Sequence, residues 1–347
     1  MAEVLNYTFC YTPESFDYAM SILSRSSFLI LDCEGNNLGR AKGSISLICV
    51  GTPLAEQIFL IDTLSPSLSP GHLENLWQLF RDPRIIKVVW DGRMDFLEIW
   101  STFGVPLQGV LDLQVVEVVS RFTMRGEGEM ERLERLTRSG FSRIAVFNYR
   151  LQYTGLNALI GLQRCCEESG FGEKFCKDPE VKQMHKDNKS DVWMQRPLTE
   201  QLLQYAAKDI QLISMICTDF IQKGWIPSDP HAYYHLLAQC ARYVSAHREQ
   251  GKSGETDAFR PTAIMPLDVL TEPWGMQHQC VACRRSLSVS CYQVLEDGLY
   301  RWRRPRCSLC HVLAMKHRIE ADARWLLLPP EPISPSSPGS PPITFGY

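Results

Sequence analysis

Residues 28–35, FLILDCEG, set two acids, Asp32 and Glu34, inside a run that is otherwise apolar and closed by a glycine. A short apolar run of this kind, bounded by turn residues, reads as a β-strand. Side chains alternate across a strand, so these two acids, at i and i+2, project from the same face. Working outward, SISLICVG (44–51) and QIFLIDT (57–63) are further short apolar runs separated by turn residues. Three strands spaced so closely predict an antiparallel meander. LENLWQLFRD (73–82) carries apolar residues at helical spacing, IIKVVWD (85–91) reads as a fourth strand, and RMDFLEIWSTFG (93–104) as a helix stopped at Gly104. The fold class that follows is α/β, a mixed sheet flanked by helices.

Further along, 122–150 is mixed and charged, with RGEGEMERLERLTRSG suggesting a mobile or inserted segment, and LNALIGLQRCCEESG (156–170) reads as helical. A polar Lys-rich stretch, KQMHKDNKSD (182–191), precedes RPLTEQLLQYAAKDIQLISMICTDFIQKG (196–224). There Thr199 can cap a long helix, Glu200 suits its first turn and Gly224 can end it. A helix around HAYYHLLAQCARYVSAHR (231–248) gives way to EQGKSGETD (249–257), which reads as a linker, and the chain closes on a Pro/Ser-rich tail expected to be disordered. The domain reading is a main domain over 1–225 (core about 15–225), a helix and linker over 226–270, a small module over 271–328 and the tail over 329–347.

The chain has 347 residues, 45% hydrophobic and 22% charged, with Lys+Arg 36 against Asp+Glu 39. These figures suit a globular protein of about two domains and exclude both a wholly disordered chain and a strongly basic nucleic-acid coat. The N-terminus lacks a basic region followed by an apolar run, and no apolar stretch approaches ~18 residues, so neither a secretory signal nor a membrane span is expected. The expected location is intracellular, nuclear or cytoplasmic. Thirteen cysteines without an export signal read mainly as small buried hydrophobes.

Tyr205 and Asp209 lie at i and i+4 on the long helix and so share a face; Asp95 opens the helix after the fourth strand. Carboxylates that converge repel one another and are costly to bury without a cation. Mg²⁺ or Mn²⁺ favours oxygen donors, and a pair of such ions serves phosphoryl chemistry. The order Asp32-x-Glu34, KVVWDGRMD ending at Asp95, then Tyr205-x3-Asp209 resembles the DEDD superfamily of 3′–5′ exonucleases, in its tyrosine-bearing, ribonuclease D-like branch, and is closest to the fungal and animal 3′–5′ exonuclease domain-containing proteins. GSISLICVG, the DLQ of VLDLQVVEVVSR, and Trp193-x-x-Arg196-Pro197-Leu198 extend the match across roughly 15–225. Gln204 sits where the histidine-bearing branch would place its histidine in H-x4-D.

The resemblance implies a ribonuclease H-like fold and metal-dependent removal of nucleotides from the single-stranded 3′ end of RNA or DNA, releasing 5′-mononucleotides. It implies that Asp32, Glu34 and Asp209 bind a first Mg²⁺ or Mn²⁺, that Asp32 and Asp95 hold a second, and that Tyr205 positions the attacking water. Relatives commonly carry His-Asn where this chain has Trp90-Asp91. Some animal relatives that have lost the acids serve as RNA-binding scaffolds, which leaves a non-catalytic nucleic-acid-binding scaffold as the second reading. Retention of all four acids favours the enzyme.

At the C-terminal end, Cys280-x2-Cys283 and Cys307-x2-Cys310 form two pairs separated by 23 residues. Four thiolates at such spacing suit one structural Zn²⁺ in a zinc-ribbon-like module; the competing reading is four free cysteines. Residues 280–325 carry a net charge of +5, leaving −8 on the rest of the chain. YRWRRPRC interleaves aromatics with arginines, and Arg301, Trp302, Arg303, Arg304 and Arg306 are candidates for gripping nucleic acid, guanidinium groups on phosphate and rings on bases. A solvated basic face or a protein-docking surface is the alternative.

Overall fold

The computed structural model describes residues 4–171, 190–254, 257–298, 300–320 and 323–329. The tail beyond 329 and most of the polar stretch at 182–191 lie outside them. The chain forms two compact units, Met1–Glu272 and Pro273–Tyr347.

In the first unit the meander is present. Strands β1 (Thr8–Cys10), β2 (Phe28–Asn36), β3 (Ser44–Gly51), β4 (Ile58–Asp62), β5 (Ile86–Val89) and β6 (Val110–Asp112) form one sheet in the order β1-β4-β3-β2-β5-β6. β2, β3 and β4 pair antiparallel, while β5 and β6 continue parallel from β2, and β1 lies parallel to β4. The two short outer strands carry too few residues to show an alternation in sequence.

Helices α1 (Pro13–Leu23), α2 (Pro70–Arg81), α3 (Arg93–Phe103) and α4 (Leu113–Thr123) join the strands. Gly104, with φ 67°, takes the left-handed position that ends α3. The segment at 122–150, expected to be mobile or inserted, folds into α5 (Glu129–Arg138) and α6 (Arg143–Asn148), which bury Leu133, Leu136 and Val146. Their charges hid this apolar stripe. In 156–170 only α7 (Leu162–Glu168) is helical. Before it the chain is extended: Leu159 N donates to Ala263 O at 2.9 Å, and Met265 N to Asn157 O at 2.9 Å.

The long helix α8 (Glu200–Gln222) starts at Thr199, whose hydroxyl accepts from Leu202 N at 3.4 Å. It ends in a Schellman motif: Trp225 N donates to Phe220 O at 2.8 Å and Gly224 N to Ile221 O at 3.0 Å, with the Phe220 and Trp225 rings 4.6 Å apart. The segment read as a separate helix and linker over 226–270 belongs instead to the first unit. Helix α9 (Pro230–Val244) packs on β6, α3 and α4, and the stretch after it pairs with the β2–β3 loop at Arg40 and with the segment before α7 at Ala158.

The second unit has a hairpin of β7 (Gln277–Gln279) and β8 (Ser286–Ser288). It also has a three-stranded antiparallel sheet of β9 (Val294–Asp297), β10 (Tyr300–Arg303) and β11 (Leu326–Leu327), and helix α10 (Ser308–Lys316). Among the described residues no helix is long and apolar enough to cross a membrane.

Candidate active site

Asp32 and Glu34 stand opposite Cys49 and Leu47 of β3. The face they share is the one on which α8 lies. Two residues back, Ile30 pairs with Gly51, and a side chain at Gly51 would meet Ile210 of α8 at 2.5 Å. A glycine at this point lets the helix approach the sheet closely enough for the next residue back, Asp209, to reach the strand acids. Immediately after Glu34 the pairing shifts register, and a Cβ on Gly35 would come within 2.2 Å of Ser44 O. The extra residue of that irregularity is Ser46 on β3, and β2 stays paired through Asn36.

The result is a cluster in which one carboxylate oxygen each of Asp32, Glu34 and Asp209 lies within 4.8 Å of the others. Glu34 and Asp209 are buried and Asp32 is half-buried. Asp95, in the first turn of α3, is outside that triplet but electrostatically joined to it: burial, then the negative charge of Asp32, pushes its carboxyl well above the ordinary range. Such an arrangement of hard oxygen donors fits a divalent cation, which would relieve the repulsion. Cys33 and Cys49 are fully buried beside these acids, and burial together with the nearby carboxylates raises both thiols, so they remain protonated packing residues.

Tyr205 is buried one turn before Asp209, its ring 6.2 Å from that of fully buried Trp193. Trp193 is held by its backbone, whose carbonyl accepts from Ser46 Oγ at 2.5 Å and from Arg196 at 2.9 Å. Arg196 in turn grips Asp62 of β4 with two bonds, 2.8 and 2.6 Å. The Trp-x-x-Arg-Pro-Leu motif therefore fastens the start of α8 to β3 and β4 and seats Tyr205 against a fixed wall.

Trp90 is a buried core residue, and Asp91 belongs to a second network. Asp91, with φ 55°, pairs with Arg93, Nε to Oδ1 at 2.6 Å, and the Arg93 side chain is 1% exposed. Arg93 also donates to Thr262 O at 2.8 Å and lies over the Tyr243 ring at 4.7 Å. The Tyr243 hydroxyl donates to Asp91 at 3.1 Å and contacts Gln114 Oε1. Asp112 accepts from Asp91 N, Gly92 N and Gln114 N at 3.2, 2.9 and 2.9 Å, which accounts for the Asp-Leu-Gln motif. Burial and the charge of Asp91 nonetheless push Asp112 up to about 7. Asp91 thus works as an anchor for the turn into α3. Arg93, Glu98, Tyr243 and Lys252, which stabilise this region, escaped the sequence reading; the signal within reach was an arginine and a glutamate on either side of Asp95 in an otherwise apolar helix.

A family model described as 3′-5′ exonuclease matches residues 7–224. The chain belongs to the 3′–5′ exonuclease family. It is accordingly a hydrolase, and its ribonuclease D-like resemblance extends to structure. The crystal structure of Trypanosoma brucei RNase D aligns over 81% of this chain and 83% of its own, at 22% identity and a TM-score of 0.57. The same enzyme in complex with RNA U12 aligns over 76% and 77%, at 23% identity and a TM-score of 0.56. At this identity the likeness is one of fold. Comparison with curated proteins gives no match.

In the second unit of the exonuclease, the sulfurs of Cys280, Cys283, Cys307 and Cys310 lie within 4.8 Å of one another. Cys307 N donates to Cys280 Sγ at 3.3 Å, and hydrogen bonds from the three other thiols, first of all Cys283, hold Cys280 below the ordinary thiol value. The donor set suits Zn²⁺. Around it the arginines have protein partners: Arg301 pairs with Glu296 at 3.2 Å, Arg303 lies over Tyr292 at 4.7 Å, Arg304 lies over Trp325 at 4.1 Å, and Arg306 donates to Glu320 O at 2.8 Å. Trp302 is half-buried, while Tyr300 beside it is 60% exposed.

Proposed function

We propose that the exonuclease shortens single-stranded nucleic acid from its 3′ end, hydrolysing one phosphodiester at a time and releasing 5′-mononucleotides. The observation that carries this is the approach of the Asp32, Glu34 and Asp209 oxygens within 4.8 Å of one another in a chain of this family. Asp32, Glu34 and Asp209 would hold one Mg²⁺ or Mn²⁺, and Asp32 with Asp95 a second. Ions bound there supply Lewis acidity to the phosphate and lower the cost of deprotonating water. By placing those ions the carboxylates would fix where the phosphate sits, and the positive charge of the ions would offset the repulsion between phosphate and carboxylates. A phenol with an ordinary pKa of ~10 is a weak base, so Tyr205 orients the attacking water by hydrogen bonding, its ring steadied by Trp193. The RNA U12 complex of the trypanosomal RNase D supports RNA as the polymer. Cys280, Cys283, Cys307 and Cys310 would close around one structural Zn²⁺, leaving no position for water. Arg301, Trp302, Arg303, Arg304 and Arg306 would add affinity for the polymer, a reading supported by the module's net charge of +5.

The test is to incubate 5′-labelled single-stranded RNA and DNA with the purified chain and Mg²⁺ or Mn²⁺, beside Asp209→Ala. A ladder of 3′-shortened products absent from the variant supports the proposal. Intact polymer under every condition would refute it.

A further inference from the structure

The family match ends at residue 224, yet side chains beyond it hold the helix that carries Asp95. Glu98 lies one turn after Asp95 on α3 and is fully buried. Its Oε1 accepts from Lys252 Nζ at 2.6 Å and from Thr102 Oγ1 at 3.0 Å, and its Oε2 from Gly39 N at 3.0 Å. The same ammonium donates to Gly43 O at 3.0 Å. One lysine thus ties α3 to the loop that follows the strand of Asp32 and Glu34.

Backbone contacts repeat the connection: Ala41 N donates to Ser253 O at 2.8 Å and Ser253 N to Gly39 O at 3.3 Å. The loop and α3 leave no slack between them. A Cβ on Gly43 would lie 2.8 Å from Glu98 Oε2, and one on Gly39 would lie 2.4 Å from Met94 Sδ, the residue before Asp95. At the start of α3, Arg93 is fixed by the Thr262 carbonyl and the Tyr243 ring, and the Tyr243 hydroxyl donates at 3.1 Å to Asp91, the carboxylate that pairs with Arg93.

We propose that Lys252 and Tyr243 are positioning residues of the nuclease site, an inference that rests on the metal-dependent reading above. They set Asp95 against Asp32 and Glu34, so the place of the second ion is built partly by residues beyond the stretch that the family model matches. Without Lys252, Glu98 becomes a buried charge lacking its counterion, and the loop and α3 separate. That separation moves Asp95 relative to the strand acids. Loss of an outer residue that orients a metal ligand typically weakens metal affinity by ~10–100-fold.

The experiment uses the full chain and the variants Lys252→Met, Lys252→Arg and Tyr243→Phe. Mn²⁺ binding is measured by calorimetry and electron paramagnetic resonance without nucleic acid, and single-turnover RNA cleavage is measured across Mn²⁺ concentrations. The expected result is two Mn²⁺ on the wild type and, in Lys252→Met, one retained site and one weakened by at least ~10-fold. Cleavage should fall with it and recover in part at high Mn²⁺; Lys252→Arg restores part of the binding. Tyr243→Phe, which deletes a single hydroxyl, should move both readouts the same way by less, so the inference stands or falls on that variant if Lys252→Met does not fold. Wild-type Mn²⁺ binding in natively folded Lys252→Met, or in Tyr243→Phe should Lys252→Met not fold, overturns the positioning role. A wild type that binds two Mn²⁺ but cleaves nothing refutes the exonuclease mechanism while the binding data still decide the positioning role, and a wild type that binds no Mn²⁺ overturns both.

Discussion

Replacing Gly51 by alanine should disable the exonuclease without touching a carboxylate. The new Cβ would lie 2.5 Å from Ile210 Cγ2 and 3.4 Å from Ile30 Cβ, whereas ordinary contact begins at 3.4 Å. Gly51 does not occupy the left-handed region, so the cost is one of space alone. The 23-residue helix α8 and the sheet must part by roughly 1 Å, because close-packed interiors do not absorb an added methyl. Overpacking of this kind costs ~1–3 kcal/mol, or ~2–4 °C in melting temperature for each kcal/mol in a domain of this size. The effect on turnover is larger. Ile210 follows Asp209, so the displacement falls directly on the carboxylate that must meet Asp32 and Glu34, and misplacement by ~1 Å can cost ~100-fold. Thermal denaturation and single-turnover cleavage of 5′-labelled RNA measure the two effects. Ile210→Ala removes the opposing methyl, so Gly51→Ala should cost at least ~1 kcal/mol less in that background. An unchanged melting temperature and rate in Gly51→Ala, or an equal cost in both backgrounds, would refute the close-approach argument.

Three further outcomes follow from the side chains described. Glu117 is 1% exposed and pairs with Arg121 at 2.5 Å and Arg125 at 2.7 Å; Glu117→Gln should lose ~3–5 kcal/mol in urea unfolding at neutral pH. Burial alone would raise the Glu117 carboxyl, but the two guanidinium groups hold it below the ordinary glutamate value. Its stabilisation is therefore present above the unfolded value near 4.5 and lost as pH falls through the lower folded one, so the gap between wild type and variant should narrow in acid. Metal analysis should find one zinc per chain, and Cys280→Ser should abolish it; retention of zinc in the variant would exclude this cysteine as a ligand. Neutralising Arg303, Arg304 and Arg306 should weaken RNA binding and flatten the dependence of log affinity on log salt, and an unchanged slope would show that these arginines serve only Tyr292, Trp325 and the backbone.

The parts of the site that lay in single elements were legible. Asp32 and Glu34 share a face because a strand alternates, and Tyr205 and Asp209 because a helix turns in ~3.6 residues. Thr199 and Gly224 marked the ends of α8 by local chemistry that holds in any context. The errors had physical causes too. LNALIGLQRCCEESG looked helical throughout because its apolar content suits either element, and only hydrogen bonds from Leu159 to Ala263 and from Met265 to Asn157 decide that its first half is extended. EQGKSGETD looked like a linker because polar residues and glycines are what linkers contain. Its Lys252 finds Glu98 at 2.6 Å, a pairing across 154 positions that no local pattern encodes.

The amino-acid order by itself determined the central meander, the two acid pairs, the long capped helix and the paired cysteines, since each follows from short-range periodicity, capping or ligand spacing. Tertiary structure alone decided how Asp209 reaches the strand acids, because that depends on a missing side chain at Gly51 on a different strand. It alone decided that Asp91 is an anchor under Arg93 and Tyr243, and that residues past 225 complete the first unit. These are contacts between elements distant in sequence, whose energies depend on burial and on which partner arrives, and neither is written in the spacing of residues along the chain.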